Sequence, residues 1–157
     1  MDRELSVKFG GKNNMIINEK GINIIKRFEG FRSEAYICPA GYKTIGYGHK
    51  ILPGENYVKI CELEAEEILR KDLELAKCGV IRNISRNLSE NQFSALCSFV
   101  YNLGSAALQR STLRQKINYG SDEEEICIEF AKWVYSGGRK LPGLIARREV
   151  EGLLFCS

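Results

Sequence analysis

The 157 residues contain one histidine, three prolines, one tryptophan and two methionines. No apolar run approaches the ~18 residues a membrane span needs. The single histidine, His49, would have to serve any Ser-His-Asp triad, and no Gly-x-Ser-x-Gly elbow surrounds a serine. His-Glu-x-x-His, phosphate-loop and Gly-x-Gly-x-x-Gly patterns are missing; Gly46-Tyr47-Gly48-His49 offers only two glycines. Six cysteines (Cys38, Cys61, Cys78, Cys97, Cys127 and Cys156) include no Cys-x-x-Cys pair, which speaks against structural zinc. No metal and no cofactor are therefore expected. Basic residues form no long block, so nucleic acid is not an expected partner. Residues 1–16 read as a flexible extension without the apolar core of a signal peptide, so an export signal is not expected either.

What is present is globular: 44% hydrophobic and 27% charged residues, with a net charge of +3. The length suits one domain, taken as residues 17–157, which buries about 70% of its unfolded surface without disulfides. Asn18 is a candidate N-cap for a helix with Ile22, Ile25 and Phe28 on one face, stopped by Gly30. Residues 34–51 are rich in Tyr, Ile and Thr and punctuated by Pro39, Gly41, Gly46 and Gly48. They read as short antiparallel strands with a turn near Pro39–Tyr42, and residues 52–55 as a further turn. Thereafter the pattern is helical. Residues 62–78 carry Leu63, Ile68, Leu69, Leu73 and Ala76 at helical spacing. Ser89 and Gln92 form a capping box for a helix to about Asn102. One or two short helices follow over 106–118. Ser121 or Asp122 caps a helix carrying Ile126, Phe130 and Val134, broken by Gly137-Gly138, and Pro142 opens the last. The class is α+β, with the helix at 62–78 joining two lobes. The cysteines in or beside apolar helical stretches (Cys61, Cys78, Cys97, Cys127) read as free buried thiols.

The chemistry centres on a carboxyl. Glu29 ends the first helix between Phe28 and Phe31, and aromatic neighbours favour the protonated form of a carboxyl by desolvation. A carboxyl protonated near neutrality can be a general acid. Cys38 and Thr44 stand on opposite arms of the following hairpin, so all three can face one cleft. Alone, Glu29 reads as a surface residue and Thr44 as a β-branched strand residue. The pattern is more specific: a glutamate, eight residues, an aspartate or cysteine, five residues, a threonine, here Glu29, Cys38 and Thr44. With FEGFRSEAYICPAGYKTIGYGHKI around it and WVYSGGRKLPGLIARRE near the C-terminus, the chain resembles the phage-type lysozymes (endolysins) from about residue 18 to 155.

The resemblance implies a lysozyme-like fold: a small antiparallel sheet in an N-terminal lobe, a long connecting helix and a helical C-terminal lobe. It implies hydrolysis of the β-1,4 bond between N-acetylmuramic acid and N-acetylglucosamine in peptidoglycan. Glu29 would be the acid, with Cys38 and Thr44 holding the attacking water. Inversion needs room for that water, about 6.5–9.5 Å between the two sides. Many relatives carry Asp where Cys38 stands; a thiol is mostly neutral at pH 7 and a poor base unless its pKa is lowered. Cys38 could also pair with another cysteine and switch activity off. A non-catalytic peptidoglycan-binding module and a lytic transglycosylase remain alternatives. Lys50, Tyr101, Asn102 and Thr112 match substrate-binding positions of the cleft. His49 reads as a structural partner of a carboxylate and Trp133 as a core residue. Arg147-Arg148-Glu149 reads as an ion-pair network from which an arginine could reach the cleft. A monomer that waits in the host cytoplasm for release to the wall, without membrane insertion, completes the expectation.

Overall fold

A computed structural model describes residues 14–157. Much of the extension at 1–16 lies outside these residues. Of the remainder, Met15 packs half-buried against the core, Ile16 is exposed and Ile17 is buried.

Helix α1 spans Glu19–Glu29. Asn18 caps it through its side-chain oxygen, which accepts from the Gly21 N–H at 3.1 Å. The cap also docks the helix: the Asn18 N–H donates to Ser94 Oγ at 2.9 Å and its side-chain amide to Asn91 Oδ1 at 2.8 Å. Gly21 permits this approach, since a Cβ there would lie 2.7 Å from Ser94 Cβ. Ile22 and Ile25 are buried, and Gly30, at φ 72°, ends the helix beside Glu29.

Three strands follow, β1 (Arg32–Ile37), β2 (Lys43–Gly46) and β3 (His49–Lys50), antiparallel in the order β1-β2-β3. Tyr36 faces Thr44, and Thr44 faces Lys50 on its other side. The β1–β2 turn closes with the Cys38 N–H donating to Tyr42 O at 2.9 Å and the Gly41 N–H to Cys38 O at 2.8 Å.

Helix α2 (Glu62–Asn83) has 22 residues, a length of roughly 33 Å. Ile68, Leu69, Leu73 and Ala76 are buried as the periodicity predicts, but Leu63 in the first turn is 72% exposed. The helix also runs five residues past Cys78. A Cβ on Gly79 would lie 3.0 Å from Ser105, so this glycine is a close-packing residue within the helix.

The second lobe wraps α3 (Glu90–Leu103), whose residues Phe93–Val100 are all buried. Around it lie α4 (Ser105–Gln109), α5 (Thr112–Tyr119), α6 (Glu123–Ala131) and α7 (Pro142–Phe155). Asp122 is the cap of α6, accepting from the Glu125 N–H at 2.9 Å. That helix ends at Ala131 and does not reach Val134. Gly137-Gly138 breaks no helix: it turns a two-stranded hairpin, β4 (Tyr135–Ser136) with β5 (Arg139–Lys140). Both glycines have positive φ, 56° and 77°, as a two-residue hairpin loop of this twist demands. Trp133 therefore follows α6, where it packs edge-on to Phe99 at 5.6 Å.

The thiols depart from the expected burial. Cys97 is buried, but Cys61 precedes α2 in solvent and Cys78 falls on its outer face. Cys127 and Cys156 are half-buried between α6 and α7, and all six are free.

Candidate active site

The end of α1 meets α7 at Glu29. Arg147 Nη1 donates to Glu29 Oε1 at 2.6 Å, with the two side chains 4% and 22% exposed. The other oxygen, Oε2, lies over Gly48 in the β2–β3 turn, where a Cβ would come within 3.1 Å of it. Gly48 sits at φ 84° and leaves this oxygen unobstructed. Glu29 is thus not enclosed by Phe28 and Phe31 alone, as the sequence suggests, but held in a charged contact.

The guanidinium of Arg147 is fixed on every nitrogen. Its Nε donates to Glu151 Oε1 at 3.2 Å and its Nη2 to the Ser98 carbonyl at 3.2 Å. The Ser98 hydroxyl donates to the same Glu151 oxygen at 2.7 Å. Arg148 Nε lies 3.1 Å from Glu151 Oε2, and Arg148 Nη2 donates to Asn102 Oδ1 at 2.6 Å. Burial pushes the Arg148 guanidinium down to about 10, against the attraction of Glu151, and pushes the Glu151 carboxyl up against that of both arginines. The network the sequence suggested is real, but its acid is Glu151; Glu149 is exposed.

Tyr101 closes the same corner. Its hydroxyl donates to Tyr47 O at 2.8 Å and lies 3.8 Å from where a Gly48 Cβ would be. Burial, with the charges of Asp72 and Glu29, holds this phenol well above its usual range, so it stays neutral.

Cys38 and Thr44 come together at the other end of β2. The backbone N–H of Tyr42 and the Thr44 hydroxyl, aided by the N–H groups of Ala40 and Gly41, draw the thiol below its usual value of 9.0 against partial burial. Turn amides aimed at one sulfur stabilise a thiolate. The single Thr44 hydroxyl proton can alternatively go to Tyr42 O, 3.0 Å away. Thr44 is 5% exposed. Lys50 stands beside it on β3, its ammonium 3.3 Å from the Tyr42 ring centroid.

Of the other candidates, Asn102 is engaged by Arg148. Thr112 is exposed at the start of α5, and no hydrogen bond or ion pair among the described residues joins it to Glu29. His49 is buried between carboxylates, with Asp72 Oδ2 2.8 Å from Nδ1 and Glu55 Oε2 2.9 Å from Nε2. Burial opposes its charge, but the two carboxylates outweigh that and raise its pKa above 6.5. Asp72 is pushed up by its own burial. His49 thus ties β3 to α2 and takes no part in the Glu29 contacts. No group of His, Cys, Asp and Glu suited to a metal ion occurs among the described residues.

A family model described as phage lysozyme matches residues 26–151. The chain belongs to the phage lysozyme family. The phage lysozymes are glycoside hydrolases, and this member is 42% identical over 145 residues to an endolysin of Acyrthosiphon pisum secondary endosymbiont phage 1, covering 90% of this chain and 98% of that one. It is 43% identical over 143 residues to an endolysin of Bacillus phage B103, where 90% of this chain spans 54%, about half, of the longer relative. Among solved structures, the muramidase domain of SpmX from Asticaccaulis excentricus matches with a TM-score of 0.82 and 32% identity, over 90% of this chain and 98% of that one. The lysozyme-like architecture read from the sequence, a small antiparallel sheet with a helical lobe, is the one this family shares. Arg147, Glu151, Ser98 and Gly48 join the candidate site in this lysozyme from elements far apart in sequence. Arg147 is the arginine that reaches Glu29, one of the pair the sequence pointed to; Glu151, Ser98 and Gly48 were not singled out, and the four-residue step from Arg147 to Glu151 is the signal that could have found Glu151.

Proposed function

We propose that this lysozyme hydrolyses the β-1,4 bond between N-acetylmuramic acid and N-acetylglucosamine in peptidoglycan, with Glu29 as general acid and Cys38 and Thr44 holding the attacking water. The observation that carries this reading is the placement of Glu29 Oε2 over the side-chain-free Gly48, at the opposite end of the β2–β3 ladder from Thr44. The Thr44–Lys50 pair is two residues along the chain from Gly48, so Thr44 and Glu29 stand apart at the two ends of this ladder. That separation is in keeping with a water on the far face of the sugar and with inversion, as the spacing of the motif suggests.

In this reading Glu29 gives its proton to the glycosidic oxygen as the bond to the muramic carbon breaks. The water, positioned and polarised by Cys38 and the Thr44 hydroxyl, attacks that carbon from the other side and releases its proton to solvent. Arg147 receives the resulting Glu29 carboxylate. Lys50, Tyr101, Asn102 and Thr112 are proposed to contact the glycan. Residues 17–157 are proposed to act as one catalytic unit and as a monomer, with neither nucleic acid nor membrane as ligand. The protein is proposed to be held in the host cytoplasm until released to the wall. The endolysin relatives support that route; no helix among the described residues is long and apolar enough to cross a membrane.

Digestion of purified peptidoglycan tests the reaction. Wild type is expected to release fragments with a reducing muramic end, formed as the α anomer in fresh NMR spectra. Glu29→Gln is expected to release none. An anhydromuramic product would replace hydrolysis by transglycosylation, and no product from folded, reduced wild type would leave a binding module.

A further inference from the structure

The buried charges behind Glu29 alternate in sign. Arg147 bridges Glu29 and Glu151, and Glu151 bridges Arg147 and Arg148. Glu151 is fully buried, and Arg148 is 1% exposed. Two carboxylates and two guanidiniums make the row neutral as a whole. The fork of Arg147 has a fixed direction because Glu151 and Ser98 hold its other nitrogens. We propose that Glu151 is a positioning residue for catalysis: it offsets the charge of Arg147, so that Arg147 orients Glu29 without holding it permanently ionised.

The physical requirement comes from the task of Glu29, and the inference rests on Glu29 being the acid. A guanidinium at 2.6 Å favours the carboxylate, while an acid must hold a proton before it can give one. A second carboxylate on the far side of the same guanidinium weakens that pull. Arg148 acts in the opposite sense, as a positive charge one step further along. Other charges near Glu29 are engaged elsewhere. Lys26 pairs with Glu66 at 2.8 Å, Arg27 lies over the Phe28 ring and Asp72 is taken by His49. From α3 the neutral Tyr101 faces Glu29, and from the β2–β3 turn Gly48 brings no side chain. Around Glu151, α3 contributes Ser98, while Glu129 of α6 is occupied by Lys116 and Lys132.

The arrangement predicts opposite signs for two deletions that both loosen the same seam. Glu151→Gln keeps the volume and can still accept from Ser98. Arg148→Met keeps an apolar stem against Phe99, over which Arg148 Cζ lies at 5.1 Å. In protein labelled with 13C at the glutamate carboxyls, the Glu29 resonance is assigned by its loss in Glu29→Gln. Its titration midpoint is expected to move down by about half a pH unit or more in Glu151→Gln and up by a similar amount in Arg148→Met. In Glu151→Gln, kcat at a pH above that midpoint falls about threefold or more with KM unchanged, and Glu151→Asp, which retains the charge, keeps the wild-type midpoint. Either sign alone decides if one variant does not fold. A midpoint that stays put, or moves the same way in both variants, overturns the inference and leaves Glu151 a packing residue. Hydrolysis that persists in Glu29→Gln overturns the assignment of the acid itself.

Discussion

Replacing Gly48 by alanine isolates the contact between the β2–β3 turn and Glu29. The new Cβ would lie 3.1 Å from Glu29 Oε2 and 3.8 Å from the Tyr101 hydroxyl. Ordinary contacts of a Cβ begin near 3.4 Å, so the carboxylate must give by a few tenths of an ångström. It cannot slide freely, because Arg147 holds Oε1 at 2.6 Å. Misplacing a reacting group by about 1 Å costs on the order of a hundredfold in rate, so a shift of this size is expected to cost roughly tenfold. The φ of 84° adds backbone strain of about 1–2 kcal/mol, or about 2–8 °C in Tm for a chain of this size. Gly54 supplies the control. Its φ is 93°, yet a Cβ there meets nothing within 4 Å. Gly54→Ala should lower Tm similarly and leave the rate of peptidoglycan clearing unchanged. The assay is turbidity clearing with calorimetry on both variants. If Gly48→Ala clears as fast as wild type, or Gly54→Ala is equally slow, the contact with Glu29 has no catalytic weight.

Alkylation by iodoacetamide should reach half its maximal rate at Cys38 below pH 9.0, the usual thiol value, because turn amides and Thr44 stabilise its thiolate. Cys97, which burial pushes far up, should stay unmodified in the folded protein, and mass spectrometry after each pulse distinguishes them. Alkylated Cys38 should no longer support clearing; full activity would remove the thiol from the mechanism. His49 stabilises the fold in proportion to its raised pKa. Its contribution should be complete below about pH 6.5 and lost as pH rises through the folded value, so Tm of wild type relative to His49→Asn should converge on the alkaline side. Glu55, held below 4.5 by the Leu52 N–H and by His49, works in the other direction, and its share should be lost as pH falls through that folded value. Gly21→Ala should destabilise by about 1–3 kcal/mol in thermal unfolding, since its Cβ would overlap Ser94; an unchanged Tm would mean that α1 and α3 can separate.

The local grammar of the chain was readable in advance. Asn18, the Ser89–Gln92 box, Pro142 and Gly30 act through backbone groups within a few residues, so they signal helix ends without knowledge of the fold. The Glu29–Cys38–Thr44 spacing was equally readable, because a helix end and one hairpin set it. Readings that depended on a neighbour distant in sequence went astray. The helix bounded at residue 78 continues through Gly79, and the Gly137-Gly138 pair read as a helix break is not one. Gly79 is packed inside α2 against Ser105, and Gly137-Gly138 turns a hairpin. Leu63 and Cys78 fit a helical period but face outward, since apolar type alone does not say where a partner helix lies.

The sequence by itself determined most helix ends, the family and the placing of Glu29, Cys38 and Thr44 at one helix end and on one hairpin, for each rests on short-range spacing. Only the tertiary structure decided the electrostatics. Arg147 reaches Glu29 across 118 residues, and Glu151 and Arg148 are buried behind it by the packing of α7 on α3. Charge interactions act through space and depend on burial, so the chain's order carries the identities of these groups but not which of them share a field.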